Sequence, residues 1–280
     1  MADNYMIENE HFAARQGKIS KIFKFLNRRG DPNRRDEEGY TCLMWAAWGG
    51  HADVMKVLLD HKANPNLRNM IGSTALHFAV QSGNVMGVNL LLKHNIEINV
   101  IDEHEGSPLH YIAKIGKIEL LDKLLDNGAD INCINNDGMT PLHVATSYQN
   151  CQVMEALLMR NAKINIVDFE GKTALHYACM LLNENSVKIL TKFKADAAIL
   201  DKESKSGAML VDQCSSTNLA QSKTIKNLLK KSSSNSLKVE ICEYNQMASQ
   251  RNRAKSLTSS SKVKKRNKHE AVDQLFLRKF

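Results

Sequence analysis

The sequence predicts an all-α fold, a solenoid of stacked helix–turn–helix units, and three observations predict it. A six-residue block recurs as Thr41-Cys42-Leu43-Met44-Trp45-Ala46, Thr74-Ala75-Leu76-His77-Phe78-Ala79, Ser107-Pro108-Leu109-His110-Tyr111-Ile112, Thr140-Pro141-Leu142-His143-Val144-Ala145 and Thr173-Ala174-Leu175-His176-Tyr177-Ala178. Its first residues stand 33 apart throughout, and a fixed period of about 20 to 50 residues marks an array of stacked units. A second apolar run follows the block, as in Val57-Leu58-Leu59, Leu90-Leu91-Leu92, Leu124-Leu125 and Leu157-Leu158, spaced for one face of a helix. A single unit of this kind cannot bury its own apolar stripe, so neighbours must stack.

Each part of the unit has a physical reason. Thr or Ser opens the block, where a hydroxyl at a helix N-cap accepts from an otherwise orphaned backbone N–H. Pro108 and Pro141 stand at the first helical position, where a missing N–H costs nothing. Leu faces the core, and small Ala residues let helices approach closely. Gly50, Gly83 and Gly116 follow the short helix, where a left-handed residue is cheapest. Turn signals close the unit, as in Asn64-Pro65-Asn66 and Gly128-Ala129-Asp130. This block at this period resembles the ankyrin repeat. The resemblance implies helix pairs joined by β-hairpin turns, and an activity that consists of binding another macromolecule.

The net charge of +8 is unevenly placed. Residues 232–280 hold 11 Lys or Arg and 4 Asp or Glu, a surplus of +7, so the rest of the chain is nearly neutral at +1. The basic signal therefore belongs to a tail. Cys42, Cys133, Cys151, Cys179, Cys214 and Cys242 form no C-x-x-C pair and read as small buried thiols in a reducing compartment. Residues 1–12 are polar and acidic, unlike a secretory signal, and no apolar run of about 18 residues spans a membrane. The expectation is a soluble protein, cytoplasmic and/or nuclear.

In chain order, residues 1–35 read as a degenerate N-terminal capping repeat, with His11, Ala13, Ala14 and Gly17 falling on the period and a wet face of Lys and Arg. Five well-formed repeats follow at 36–68, 69–101, 102–134, 135–167 and 168–200. Asn33, Asn66, Asn99, Asn132 and Asn165, together with Asp36, Asn69, Asp102, Asn135 and Asp168, recur at fixed places. Their side chains are expected to bond nearby backbone and hold turns. Ankyrin repeats elsewhere can be hydroxylated at the matching Asn, and the resemblance extends that option here. Residues 201–231 read as a divergent C-terminal capping repeat, since Ser206-Gly207-Ala208-Met209 has lost Pro, Leu and His. From Ser232 onward Ser, Lys, Arg and Asn dominate, and so few apolar groups cannot offset chain entropy, which predicts disorder. Leu237 to Ile241 alternates like a strand, and Val272, Leu275 and Phe276 stand at helical spacing; either could be a short partner-binding segment or a chance pattern in a linker.

No catalytic chemistry emerges. His77, His110, His143 and His176 occupy one block position in successive repeats, where an imidazole can bond backbone across neighbouring turns. His176 and Cys179 are three apart on a helix, but two ligands do not make a zinc site. There is no Gly-rich phosphate loop, no G-x-S-x-G and no Cys–His nucleophile arrangement. The chain is read as not an enzyme, with no cofactor, no metal and no small-molecule substrate.

The resemblance implies that a partner sits on hairpin tips and on the short helices of a concave face. The matching tips hold Glu37, Glu38 and Tyr40; Met70, Ile71 and Ser73; Glu103 and His104; Asn136, Asp137 and Met139; Phe169, Glu170 and Lys172. In the third repeat Gly106 lies one residue late, so that tip departs from the pattern. Of the tip and helix-end positions, Tyr40, Trp48, Met70, Ile71, Ile115, Met139, Tyr148, Phe169, Met180 and Leu181 are the candidate contacts, because surface aromatics and Met favour protein recognition. They are read as positions that the helix core does not claim. Basic residues are scarce on this face, which argues against a nucleic-acid groove. The leading expectation is a protein-binding adaptor or regulator.

The tail supports a second class of function, a nuclear, nucleic-acid-associated regulator whose cations neutralise phosphates. Lys262, Lys264, Lys265, Arg266 and Lys268 resemble a nuclear localisation signal. Upstream, Arg251-Asn252-Arg253-Ala254-Lys255-Ser256 resembles a basophilic kinase site. A phosphate on Ser256 would place close to two negative charges beside those cations and weaken their hold on an acidic receptor.

Overall fold

A computed structural model describes residues 9–104, 106–214 and 219–232. The described residues form seven helix pairs: α1 (Glu10–Arg15) with α2 (Ile19–Asn27), α3 (Cys42–Trp48) with α4 (Ala52–Asp60), α5 (Ala75–Gln81) with α6 (Val85–Leu92), α7 (Pro108–Ile115) with α8 (Ile118–Asp126), α9 (Pro141–Ser147) with α10 (Cys151–Met159), α11 (Ala174–Met180) with α12 (Glu184–Lys192), and α13 (Gly207–Cys214) with α14 (Leu219–Ser232). First helices pack on first helices and second helices on second helices, giving two helical layers. Among the described residues the hairpin turns build no sheet; Arg35 and Thr41 make an isolated antiparallel bridge.

Period and burial coincide. Leu58, Leu91, Leu124, Leu157 and Leu190, one per pair, are fully buried, as are Ala46, Ala79, Ala145 and Ala178 on the first helices. Truncating such a Leu to Ala costs about 2–5 kcal/mol. Because each unit rests on its neighbours, the loss spreads to the adjoining pairs.

The repeated histidines act as inter-unit clips. The backbone N–H of Thr74 donates to His77 Nδ1 at 3.1 Å, and the Thr74 hydroxyl lies 3.0 Å from the same nitrogen. On the other side His77 Nε2 faces the carbonyls of Val100 and Gly106 at 3.2 and 3.1 Å. A backbone N–H can only donate and a carbonyl can only accept. The ring must therefore be neutral, with its proton on Nε2. His110, His143 and His176 repeat this with Ser107, Thr140 and Thr173, and their Nε2 atoms donate to Met139, Lys172 and Lys205 carbonyls at 2.9, 3.1 and 3.3 Å. Burial holds His110 and His143 down at about 4, and lowers His77 and His176 as well.

The recurrent Asn residues differ from expectation. Rather than holding their own turns, they reach the following unit. Asn33, Asn66, Asn99, Asn132 and Asn165 Oδ1 accept from the backbone N–H of Asn64, Glu97, Asp130, Lys163 and Asp196 at 2.7–2.9 Å. Stacking brings into reach a donor 31 residues away, one that a local turn argument does not consider. Cys42, Cys133 and Cys179 are buried, and burial pushes the Cys42 and Cys179 thiols up to about 12. Cys151 and Cys214 are only half-buried, unlike the uniform burial the sequence suggests. No helix of the described residues is long and apolar enough to cross a membrane.

Candidate partner-binding face

Each hairpin is built on an acidic or amide residue that opens it. Asp36 Oδ1 accepts from Glu38 and Tyr40 N–H at 3.1 and 2.8 Å, while Asp36 N–H donates to the Tyr40 carbonyl at 2.9 Å. Asn135, Asp168 and Asp201 hold their hairpins by the same two side-chain bonds. Gly106 does not spoil the third hairpin. It takes the closing position, with Asp102 N–H donating to its carbonyl at 3.1 Å and a φ of 107° that glycine alone adopts easily. Tips are joined by backbone bonds, Met70 N–H to Glu38 O at 3.1 Å, Glu103 N–H to Ile71 O at 2.9 Å and Phe169 N–H to Asp137 O at 3.0 Å, and between the third and fourth by Asn136 Nδ2, which donates to the Asp102 and Glu103 carbonyls at 3.1 and 3.3 Å.

The second carboxylate oxygen of the opening residue ties the hairpin to the short helix. Asp36 Oδ2 accepts from Trp45 Nε1 at 2.8 Å, Asp102 Oδ2 from Tyr111 Oη at 2.6 Å and Asp168 Oδ2 from Tyr177 Oη at 2.5 Å. Where the opening residue is Asn69 or Asn135, the residue nine positions on is Phe78 or Val144, which cannot donate. Asp102 also accepts from Ser73 Oγ at 2.6 Å, so Ser73 is buried rather than a tip contact. Burial opposes ionisation of Asp102, while the bonds it accepts from the Ser73 and Tyr111 hydroxyls and the Gly106 N–H favour it. Burial and the bond to Asp168 raise the Tyr177 phenol. At Asp201 the residue nine on is Leu210, and Asp201 Oδ2 is buried without a hydrogen-bond partner.

The ten candidate contacts divide by exposure. Met70, Tyr148, Met180 and Leu181 are exposed, at 50%, 50%, 39% and 44%. Tyr148 and Leu181 occupy the same position in consecutive units, with half-buried Ile115 one unit earlier. Lys114 Nζ lies 5.3 Å over the Tyr148 ring. Ile71 and Phe169 are half-buried, and the Phe169 ring lies on Gly138 of the preceding hairpin. Tyr40, Trp48, Ile115 and Met139 are half-buried and packed on the core, so the core does claim part of what the sequence leaves to a partner.

Trp48 shows why. Its ring stacks between Trp45 at 5.6 Å and Phe78 at 5.3 Å, with interplanar angles of 11° and 8°, and Tyr40 stacks on Trp45 at 4.8 Å. The Arg15 guanidinium lies over Trp45 and Trp48 at 5.3 and 5.8 Å. Trp45 and Arg15 are missed by a reading that looks only at tips and helix ends. The signal available was the local crowding of aromatics at 40, 45 and 48, with Phe78 one period after Trp45.

Among the described residues no group of three or more His, Cys, Asp or Glu could hold a metal ion. Ser256, Lys262, Lys264, Lys265, Arg266 and Lys268, with Cys242 and the apolar segments of the tail, lie outside the described residues.

A family model described as ankyrin repeats (3 copies) matches residues 11–102 and 109–203. The crystal structure of the human ASB11 ankyrin repeat domain is similar at 26% identity and a TM-score of 0.70, covering 82% of this chain and 99% of that one. The ankyrin repeat domain of Bcl-3, a unique member of the IkappaB protein family, shares the fold at 21% identity and a TM-score of 0.68, covering 79% of this chain and 97% of that one. No curated protein matches the sequence.

Proposed function

The chain belongs to the ankyrin repeat family, whose repeats are non-catalytic modules that bind proteins, and from that premise we propose an adaptor or regulator that seats one protein partner on the concave face. The observation that carries this reading is the register of Tyr148 and Leu181. They are exposed at the same helix end in consecutive units, with Met180 beside them and Ile115 one unit before. Aromatic and large apolar side chains at such places act as interface anchors, each able to contribute about 2 kcal/mol or more when a partner desolvates it. A Tyr148→Glu/Leu181→Glu form should lose its partner in a quantitative pull-down while its melting temperature changes little. Capture at the wild-type level by that form places the site elsewhere.

The tail carries a second reading, motivated by its surplus of +7. In it Lys262, Lys264, Lys265, Arg266 and Lys268 direct nuclear entry, or hold nucleic acid through phosphate contacts, and a phosphate on Ser256 opposes both. The protein would then divide between cytoplasm and nucleus. Microscopy of Ser256→Asp and Ser256→Ala forms beside a Lys264→Ala/Lys265→Ala/Arg266→Ala form tests it. Identical distributions reduce the tail to a linker.

A further inference from the structure

Resting on the partner-binding reading above, we infer that the partner lays a basic, extended segment along the hairpin tips. At the tips of the first five hairpins, Glu37, Glu38, Met70, Ile71, Glu103, His104, Asn136, Asp137, Phe169 and Glu170 include five carboxylates, and cations enter only with Lys172, which closes the fifth hairpin, and Lys202, at the sixth tip. This is not general acidity, because the chain outside its tail is nearly neutral at +1. It is a sorting of charge by position, with cations such as Arg160, at the end of α10, and Lys192, on α12, paired with carboxylates of the preceding second helix.

Glu37, Glu103, Asp137 and Glu170 are exposed, and among the described residues no ion pair engages Glu37, Glu38, Asp137 or Glu170. Backbone bonds between neighbouring tips, and between the third and fourth the Asn136 amide donating to the Asp102 and Glu103 carbonyls, fix the row. Met70, half exposed, and Ile71 interrupt it with an apolar step, and exposed apolar residues rimmed by charge mark protein contacts. Packed helices stand about 8–10 Å apart, so the carboxylates recur at about that interval. That is too far for two of them to share one cation, whose oxygen ligands lie about 2.3–2.6 Å away. It equals about three residues of a polyproline II segment at roughly 3.1 Å each, whose three residues per turn bring every third side chain to one face. The geometry therefore fits a segment with Lys or Arg at every third position and an apolar residue opposite Met70 and Ile71.

The test uses the full chain and fluorescence anisotropy with a labelled peptide of about thirteen residues, enough to reach from the first tip to the fifth. The probe carries Arg at every third position with Leu and Ser between; a second probe has Glu in place of Arg. The Arg probe should bind, weaken as salt rises, and lose about tenfold in affinity to a Glu37→Gln/Glu103→Gln/Asp137→Asn/Glu170→Gln form, since each exposed pair contributes only a few-fold. An Asp60→Asn/Glu119→Gln/Asp126→Asn/Glu155→Gln form, with the same charge removed from the second helices, should bind as the wild type does. Equal weakening in the two forms, equal binding of the two probes, or no binding of the Arg probe overturns the inference. The partner itself separates this from the wider reading. Capture lost in the Tyr148→Glu/Leu181→Glu form but kept in the tip form overturns this inference alone, and capture kept in both overturns the face as well.

Discussion

Tyr111 Oη donates to Asp102 Oδ2 at 2.6 Å, linking a hairpin to the short helix nine residues later. Trp45 does this for Asp36 and Tyr177 for Asp168, and the units that open with Asn69 and Asn135 place Phe78 and Val144 there instead. Carboxylate and donor thus appear together, and amide and non-donor appear together. The reason is desolvation: a buried carboxylate oxygen needs a donor, and three of the four available Asp positions have one.

Removing the donor should cost most where nothing else serves the oxygen. Asp102 Oδ2 keeps Ser73 Oγ at 2.6 Å after Tyr111→Phe, whereas Tyr177→Phe removes the hydroxyl that donates to Asp168 Oδ2. Urea unfolding should show Tyr177→Phe losing about 2 kcal/mol and Tyr111→Phe about half of that. Equal losses would mean that Ser73 does not compensate.

The fourth position is Asp201, whose Oδ2 is buried without a partner, and Leu210 stands where Tyr111 and Tyr177 stand in their units. Leu210→Tyr should supply the missing hydroxyl. Compared with Leu210→Phe, which adds the ring but no donor, it should be more stable by about 1 kcal/mol in the same unfolding assay. No difference between the two would show that the hydroxyl does not reach Asp201.

The histidine clips make stability pH-dependent in a fixed direction. His110 and His143 are held at about 4 by burial, below the ordinary value of 6.5, so the unfolded chain takes up protons first as pH falls. Their stabilising effect is complete above about pH 6.5 and is lost between there and about pH 4, at about 1.4 kcal/mol per pH unit for each ring. His77 and His176 are lowered too and act in the same sense. A His110→Gln form should show a shallower loss across this window; a slope equal to the wild type would remove His110 from the account.

The period at 33 made the fold legible, because each of Leu58, Leu91, Leu124 and Leu157 marks the same buried point in its unit. The histidines were legible for the same reason. The Asn contacts were not, since Asn66 meets Glu97 N–H only after two units have stacked. Trp48 was misjudged in part: its register is that of a surface residue, but Trp45 and Phe78 stack on it from both sides. A substitution at Trp48 therefore disturbs packing as well as any contact, and Tyr148 is the cleaner probe. The donor rule was present in the sequence as paired choices nine apart, and needed the hairpin geometry to give it meaning.

The most direct measurement of the central claim is photo-crosslinking from single positions, with p-benzoylphenylalanine placed at Tyr148 in one form and at Met159 in another. Tyr148 is 50% exposed at the end of a first helix, and Met159 is 66% exposed on a second helix. The account predicts that the probe at 148 traps a discrete protein partner and that the probe at 159 does not. Trapping of that partner from 159 but not from 148 would contradict it.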